Sequence, residues 1–386
     1  MMTGSVAQDP DVLVQKIANL QSKGDDHYSE GLFPTQRTHR YFAHSVEDDT
    51  IFPTAVTVYT LQQVREALSE RSRQIVDEIA RKAVANYPRY LNNQGYPMYN
   101  FWQNFPEERF FPNSKLARRF RKFRLPEDID TTSYLYLTQP HPRRDVLRLK
   151  ERLILDTNLK RRRIRNTLPR YRRLRAYSTW LGEANMPIDF DVCVLSNLLL
   201  FVCRHGLPFN EHDHASLRFI TSVIENDDHV SHPFDVAPWY ANTTVILYHV
   251  SRLAASCELP ALAACREKPV RALHAQADRR PAFMERLLLS TSLTRLGQAP
   301  LITQYPTDLD AVVDRFYFFI ASLFTAVENP ITWALAKLPL FHARYRCRAH
   351  SLALLVEHEV YRRQATDAPE AASASIRPSS PDGGRS

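Results

Sequence analysis

The chain contains few glycines, and this scarcity limits the folds open to it. Only 9 of its 386 residues are glycine, whereas 25 are proline. Sheet proteins need glycine at the tight turns between strands, where φ is positive. A chain with this balance is therefore expected to form helices joined by proline-bearing loops. It also contains no glycine-rich phosphate loop, which excludes P-loop and Rossmann nucleotide binding.

Apolar residues recur at helical spacing along most of the chain. This pattern predicts about ten helices, over residues 50–68, 71–84, 126–136, 144–155, 189–203, 213–224, 242–255, 282–296, 309–327 and 332–361. Helices in loose pairs favour an all-α protein with the architecture of an α/α barrel. Residues 87–112 are rich in Asn, Pro and aromatic residues and are predicted to form a long functional loop.

The composition of the two ends predicts the domain organisation. Residues 1–30 are polar and are predicted to form an N-terminal arm, and residues 363–386 are predicted to be a disordered tail rich in Ala, Ser, Pro and Gly. Residues 31–362 are predicted to form the helical domain, with room for a small inserted subdomain. Five scattered cysteines without CxxC spacing are typical of reduced thiols in a cytoplasmic protein. We expect neither a secretory leader nor a membrane span.

Positive charge is concentrated in one part of the chain. Residues 115–175 hold 20 Lys and Arg against 6 Asp and Glu, whereas the whole chain has a net charge of +8. A segment this basic is expected to meet something anionic, such as a diphosphate, a lipid headgroup or nucleic acid.

The segment Asp128-Ile129-Asp130-Thr131-Thr132 places two carboxylates two residues apart, shortly after Pro126. One interpretation is a helix start, because proline and acids suit the first turn of a helix. The other is an acid–base pair, since two close carboxylates do not both ionise easily and burial raises the pKa further. In that case the helix terminus would keep Asp128 ionised and leave Asp130 as the proton donor. Thr131 and Thr132 would hydrogen-bond the donor and orient it.

This segment resembles the DxDTT variant of the DxDD motif of class II terpene cyclases, as found in bacterial drimane-forming sesquiterpene cyclases. The resemblance implies a terpene cyclase β-domain-like toroid of helices and an isomerase in which Asp130 protonates the terminal double bond of a linear prenyl diphosphate. It implies farnesyl diphosphate as the preferred substrate, with a drimane-type bicyclic diphosphate as product, and geranylgeranyl diphosphate as the next candidate. The QxxxGxW repeats of triterpene cyclases and the DDxxD motif of class I cyclases are absent from the sequence, so the product is expected to keep its diphosphate.

Further site residues follow from this hypothesis. Aromatic faces attract cations by roughly 0.5–2 kcal/mol each, and the aromatic candidates for the pocket are Trp102, Trp180, Trp239 and Tyr240. The arginines just before the acid motif, Arg118 and Arg119, are predicted to clamp the diphosphate. Adjacent carboxylates suit a hard cation, so Asp48 and Asp49 are predicted to bind magnesium. Capping of the following helix is the other interpretation of these two acids.

Two other classes of function remain open from the sequence. The basic segment 115–175 would also suit a non-catalytic helical module that binds nucleic acid or an anionic membrane. No nucleic-acid motif is present, so we expect no nucleic-acid partner, and a peripheral membrane contact through this segment is the other use of its charge. A carbohydrate-active α/α barrel would use Asp128 or Asp130 with a distant carboxylate.

Overall fold

The computed structural model describes residues 8–41, 45–109, 124–182, 186–264, 267–302 and 304–374. Helices dominate these ranges. The α-helices are α1 Pro10–Leu20, α2 Phe52–Val64, α3 Glu70–Val84, α4 Ile129–Thr138, α5 Arg143–Leu153, α6 Val192–Arg204, α7 Glu211–Glu225, α8 Asp228–Ser231, α9 Pro233–Val236, α10 Thr243–Ser256, α11 Pro260–Ala264, α12 Glu267–Asp278, α13 Phe283–Arg295, α14 Leu309–Arg315, α15 Pro330–Ala336 and α16 Arg348–Ala374. The strands are β1 Gln36–His39, β2 Ser45–Glu47, β3 Phe319–Ala321 and β4 Ala343–Arg346.

Six of the helices form a closed ring. In order around the ring, α2 packs on α4, α4 on α6, α6 on α10, α10 on α13, α13 on α16, and α16 returns to α2. Nearly every residue of α2, α6 and α10 is buried, as expected for helices with neighbours on all sides. Outside this ring, α1 and α3 cover α2 and α16, α7 packs on α6, and α12 packs on α10 and α13. The ring confirms the predicted all-α class and α/α-barrel architecture.

A small antiparallel sheet accompanies the helices, with the strand order β2-β1-β4-β3. It lies at the end of the ring where the inner helices begin, because the Ile320 amide of β3 donates to the Trp239 carbonyl, shortly before α10 (2.9 Å). Tyr345 of β4 stacks on Phe319, with ring centroids 4.6 Å apart, and meets Phe101, before α4, at 5.6 Å. The sheet therefore covers one end of the barrel.

Two predicted helices are wrong in this region. Residues 309–327 form α14, β3 and a short 3-10 helix, and residues 332–361 are divided among α15, β4 and the first half of α16. The aromatic run before Ala321 fits a strand as well as a helix, and pairing with β4 decides for the strand. Pro339 lies where a continuous helix would need its backbone N–H, so the helix ends before it.

The segments at both ends of the described chain contain helices. The helix α1, in the predicted arm, packs against α3 and α16 and buries Leu13, Val14 and Ile17. The last helix extends to Ala374, into the segment predicted as a tail. The division of the chain into arm, domain and tail stays a prediction. No helix in the described ranges is both long enough and apolar enough to cross a membrane.

We predict that Gly31→Ala lowers the free energy of unfolding by about 3 kcal/mol, the sum of backbone strain and a steric clash. Gly31 has φ +93°, and a Cβ there would lie 2.3 Å from the Lys82 carbonyl oxygen of α3. Gly95 is the matched control, because it has φ +78° and nothing within 4 Å of its Cβ position. Gly95→Ala should cost about 1 kcal/mol, for strain alone. Urea denaturation measures both, and equal losses would contradict the close approach at Gly31.

Candidate active site

Carboxyl groups lie at the N-terminal ends of several inner helices, at the end of the barrel that the sheet covers. Asp128 is the N-cap of α4 and Asp191 is the N-cap of α6. Asp48 precedes α2 by a short turn. Backbone hydrogen bonds tie these ends together, since the Asp128 amide donates to Tyr99 and the Ile51 amide donates to Phe101. Helix N-termini favour negative charge, so this end of the barrel is suited to hold acids.

Asp130 lies in the first turn of α4, and only 6 % of its surface is exposed. Its Oδ1 accepts a hydrogen bond from Asn197 Nδ2 of α6 (2.6 Å), and its Oδ2 accepts one from the Tyr240 hydroxyl (2.5 Å). Burial raises the pKa of Asp130 to about 6, although the two hydrogen bonds and the nearby Arg252 lower it. Near neutral pH, Asp130 is therefore protonated in a fraction of the molecules.

Asp128 is buried beside Asp130 but has fewer stabilising contacts. Its Oδ1 accepts the Thr131 amide (2.6 Å) as the cap of α4, and among the described residues its buried Oδ2 accepts no hydrogen bond. Burial raises the pKa of Asp128 to about 8, and the neighbouring charge of Asp130 adds to this. We expected the helix terminus to keep Asp128 ionised. The structure points the other way, because desolvation raises the pKa of Asp128 more than its capping hydrogen bond lowers it.

The two threonines of the motif do not orient the donor as predicted. The Thr132 hydroxyl accepts the Tyr99 amide (3.0 Å) and donates to the Tyr99 carbonyl (3.4 Å). The Thr131 amide caps onto Asp128, and the Thr131 hydroxyl has no hydrogen-bond partner among the described residues. Asn197 and Tyr240 orient Asp130 instead. Of the predicted site residues, Tyr240 is therefore the one that contacts the proposed donor.

A second pair of acids, Asp189 and Asp191, precedes α6 and holds Trp239. The Trp239 indole N–H donates to Asp189 Oδ2 (2.8 Å), and its backbone N–H donates to Asp191 Oδ2 (3.0 Å). Trp239 meets Trp180 edge to face, with ring centroids 5.1 Å apart. Burial raises the pKa of Asp189 to about 6 and that of Asp191 well above its usual value. These contacts fix both predicted tryptophans beside the acid motif, since Trp180 also bridges to Asp128 through its backbone.

Aromatic rings pack against the ring of Tyr240, whose hydroxyl bonds Asp130. Tyr240 meets Phe318 and Phe319, with ring centroids 5.8 and 6.3 Å apart. Phe52 lies edge to face against Phe319 at 5.0 Å. A cavity of about 10 Å³, roughly one water molecule in size, is enclosed among Phe52, Phe318, Phe319 and their neighbours. The rings beside the acid are thus closely packed.

A larger cleft opens beyond Trp180. It has a volume of about 280 Å³ and is lined by Pro126, Leu155, Trp180 and Ile188 together with Arg161 and Arg162. This volume is close to the lower end of the roughly 300–1,000 Å³ found for small-molecule sites. The cleft combines an apolar wall with two cations from the basic segment and with the Asp156 carboxylate, which pairs with Arg152.

Asp48, Asp49 and Trp102 form a separate group before α2. Asp48 accepts the Trp102 indole N–H (2.7 Å) and pairs with Arg37 (3.3 Å), and Asp49 pairs with Arg109 (3.2 Å). Within the described ranges, no three His, Cys, Asp or Glu side chains are placed to hold one metal ion. As placed, the two acids do not offer the open set of oxygen ligands that magnesium takes. Magnesium binding at this position stays a prediction from the sequence. The Trp102 indole hydrogen-bonds Asp48, and a role of Trp102 in substrate binding also stays a prediction.

The predicted diphosphate ligands Arg118 and Arg119 lie outside the described residues. Two residues of the site were not found from the sequence, namely Asn197 and Arg252, both of which are almost completely buried. Each is a strongly polar residue within a helix that is almost entirely buried. Buried polar groups need hydrogen-bond partners, so a polar residue within a buried helix indicates a polar contact. The sequence did not reveal which residues Asn197 and Arg252 contact.

Comparison with known proteins gives one structural likeness. No known family profile matches the chain, and no curated protein matches it. Among solved structures, the chain resembles MstE, a type II terpene cyclase from Scytonema in complex with its substrate geranylgeranyl dihydroxybenzoate. The two are 12% identical, the match covers 92% of this chain and 99% of that chain, and the TM-score is 0.47. A likeness at this level decides neither the activity nor the substrate of this chain.

We predict that Asp128→Asn weakens the dependence of stability on pH. The unfolded chain releases the Asp128 proton near pH 4, whereas the folded protein keeps it up to about pH 8. Stability from this group is therefore complete below about pH 4 and is lost as the pH rises to 8. Asparagine also caps helices well, so the slope between pH 5 and 8 should fall by up to about 1.4 kcal/mol per pH unit.

Urea denaturation across this pH range measures the slope. Asp9→Asn is the control, because it makes the same change at the exposed N-cap of α1. An unchanged slope in Asp128→Asn would show that Asp128 is ionised in the folded protein at neutral pH.

Proposed function

We propose that the protein is a protonation-initiated (class II) terpene cyclase that acts on a linear prenyl diphosphate, with farnesyl diphosphate preferred and a drimane-type bicyclic diphosphate as product. One observation carries this proposal: a buried aspartic acid, Asp130, has a raised pKa and hydrogen-bonds a tyrosine that is packed among aromatic rings. Protonating an alkene needs an acid that is kept away from water and is still strong enough to give up its proton. Burial of Asp130 supports the first condition, and the hydrogen bonds that would stabilise its carboxylate support the second.

Asp130 is better suited than Asp128 to donate the proton. Burial raises the pKa of both carboxyls, and hydrogen bonds from Tyr240 and Asn197 together with the nearby Arg252 offset part of the rise at Asp130. Asp128 is engaged in capping α4, whereas Asp130 contacts side chains from two other parts of the chain. A protonated Asp128 also limits the negative charge near Asp130. In this proposal Asp130 is the proton donor, as the sequence predicts. Asp128 is protonated, whereas from the sequence we expected it to be ionised.

The alkene would reach Asp130 from the side of the sheet. On the other side, the interior of the ring is filled by polar and aromatic side chains that include Tyr59, Arg252 and Glu357. The rings of Tyr240, Phe318 and Phe319 lie on the sheet side, and their faces would stabilise the cations formed on ring closure. The enclosed cavity there holds about 10 Å³, so these rings must separate when a hydrocarbon chain binds.

The diphosphate would lie in the 280 Å³ cleft beyond Trp180. Arg161 and Arg162 supply positive charge there, and guanidinium groups bind phosphate oxygens in a bidentate manner. From the cleft, the hydrocarbon tail would pass the Trp180–Trp239 pair to reach Asp130. No reaction step is assigned to a metal ion, because Asp48 and Asp49 are paired with arginines.

Two observations argue against the other functions that the sequence left open. Several cations of the basic segment are held in ion pairs, since Arg152 pairs with Asp156 and Arg170 with Asp228, each at 2.5 Å. A nucleic-acid-binding face needs cations that are available to phosphates. Glycoside hydrolysis needs water within reach of the acids, and Asp128 and Asp130 are only 5% and 6% exposed.

We predict that the purified protein converts farnesyl diphosphate into a product that releases a bicyclic alcohol after phosphatase treatment. Asp130→Asn should lower this rate by at least about 100-fold, because general acids contribute roughly 10²–10⁴. The rate should fall as the pH rises through about 6, where Asp130 loses its proton. Gas chromatography of phosphatase-treated reactions, run with magnesium and with a chelator, measures the product.

Substrates of other chain lengths and a check that the variant is folded are the controls for this experiment. Geranyl and geranylgeranyl diphosphate are tested beside farnesyl diphosphate, and circular dichroism checks that Asp130→Asn is folded. The proposal is refuted if the wild-type protein makes no cyclic product from any of the three substrates.

We predict that Arg162→Gln raises the KM for farnesyl diphosphate about tenfold and changes kcat by less than about threefold, since the cleft binds the diphosphate away from the reacting alkene. Arg165→Gln is the control, because Arg165 belongs to the same basic run and does not line the cleft. Steady-state kinetics measures both constants. An equal effect of both variants would point to general charge attraction and not to a binding site in the cleft.

A further inference from the structure

Arg252 lies inside the ring of helices, and 3% of its surface is exposed. Its Nη2 donates to Asn197 Oδ1 (2.5 Å) and to the Tyr134 hydroxyl (2.6 Å). The guanidinium carbon lies 5.1, 5.5 and 5.4 Å from the ring centroids of Tyr59, Tyr134 and Tyr248. Three aromatic faces and two oxygen acceptors thus hold the cation in one position.

This position constrains the side-chain amide of Asn197. A guanidinium group only donates hydrogen bonds, so the Asn197 atom that it meets must be the carbonyl oxygen. The amide nitrogen then points the other way and donates to Asp130 Oδ1 at 2.6 Å. If the amide turned over, its N–H group would face the Arg252 N–H group, and the two donors would repel each other. Arg252 therefore fixes the orientation of the amide.

The orientation of the amide in turn determines where Asp130 carries its proton. Oδ1 accepts the Asn197 N–H, so a proton on Oδ1 would compete with that donor. An amide N–H can only donate, whereas the Tyr240 hydroxyl can also accept a hydrogen bond. The proton of the neutral acid therefore resides on Oδ2, and the Tyr240 hydroxyl then accepts it. Tyr240, whose hydroxyl meets this oxygen, packs its ring against Phe318 and Phe319.

We propose that Arg252 is a positioning residue which, through the side-chain amide of Asn197, keeps the transferable proton of Asp130 on Oδ2, the oxygen beside the Tyr240 hydroxyl. The proposal rests on the proposed function, since it concerns the proton that starts the reaction. During the transfer, the O–H bond at Oδ2 breaks, the proton bonds to an alkene carbon, and Asp130 is left as a carboxylate. The Asn197 N–H and the Tyr240 O–H then stabilise that carboxylate, with Arg252 behind the amide.

Other charged and titratable groups also face this network and bear on any pH dependence. They come from all six inner helices and the segments before them: Tyr59, Asp128, Tyr134, Asp191, Cys193, Tyr248, His249, Arg295, His350 and Glu357. Burial lowers the pKa of His350 to about 3 and that of His249 well below its usual value, so both are neutral near pH 6. Arg295 is paired with Glu357. Among the described residues, Arg252 is therefore a nearby cation that no carboxylate balances in an ion pair.

The test compares Arg252→Met with the wild-type protein in two measurements. In the first, which needs no substrate, NMR follows the carboxyl carbon of Asp130 and the side-chain amide of Asn197 through a pH titration. Arg252 lowers the pKa of Asp130, so the variant should titrate at a higher pH, by about one unit. The Asn197 amide protons should follow the titration in the wild-type protein and lose this coupling in the variant.

The second measurement is the rate of cyclisation of farnesyl diphosphate as a function of pH. If Arg252 positions the proton, the rate of the variant on its low-pH plateau should fall at least about tenfold, although Asp130 is fully protonated there. A plateau retained within twofold would overturn the proposal, because Arg252 would then act through its charge alone. Arg252→Lys keeps one donor for Asn197 and should restore most of the plateau rate.

Two further variants keep the test informative. Arg295→Gln combined with Glu357→Gln removes a buried ion pair from the same ring without contacting Asn197, and it should leave the Asn197 coupling intact. If Arg252→Met does not fold, Asn197→Leu removes the amide itself and should lower the plateau rate by a similar factor; an unchanged rate would overturn the proposal. If the wild-type protein cyclises no prenyl diphosphate, the proposed function fails, whereas the NMR titration still decides whether Arg252 orients the amide.

Discussion

Burial of carboxylic acids at the end of a ring of helices is the constraint on which this structure depends. A carboxylate loses several kcal/mol of hydration when it leaves water, and helix N-termini return only about 0.3–2 kcal/mol each. Asp128 and Asp191 lie at such N-termini, and the pKa of each is nevertheless raised. Desolvation therefore favours the neutral form of both acids more than the helix N-termini favour the charged form. A carboxylic acid that is buried and neutral can donate a proton to a weak base.

The polar side chains inside the ring follow from the same constraint. Asp130 has to be held in one orientation, and a buried amide is a suitable partner because it offers both a donor and an acceptor. The amide then needs a partner of its own, which Arg252 supplies. Arg252 in turn needs acceptors and aromatic faces, and Tyr134 and Tyr248 provide them. Each buried polar group therefore needs a further hydrogen-bond partner, and the resulting network joins α4, α6 and α10.

The sequence predicted the class of the fold, and it drew attention to Asp130, because both depend on local patterns. Helical spacing of apolar residues identifies inner helices such as α6 and α10, and the motif around Asp130 is contiguous. The role of Asn197 depends on which faces of α4, α6 and α10 meet, which spacing within one helix does not reveal. The strands β3 and β4 were missed for a related reason. Their aromatic residues suit either a helix or a strand, and the pairing partner lies far away in the sequence.

The closure of the ring by α16 has a consequence for the way the chain is made. The helices α2 and α16 are neighbours in space, yet nearly 300 residues separate them along the chain. While a ribosome is still synthesising the last part, the apolar flanks of α2 and α13 have no cover, and the Arg295 guanidinium lacks Glu357. A nascent chain of this protein should therefore depend on chaperones until its final helix emerges, and nonsense mutations before residue 348 should leave an aggregating fragment rather than a smaller enzyme.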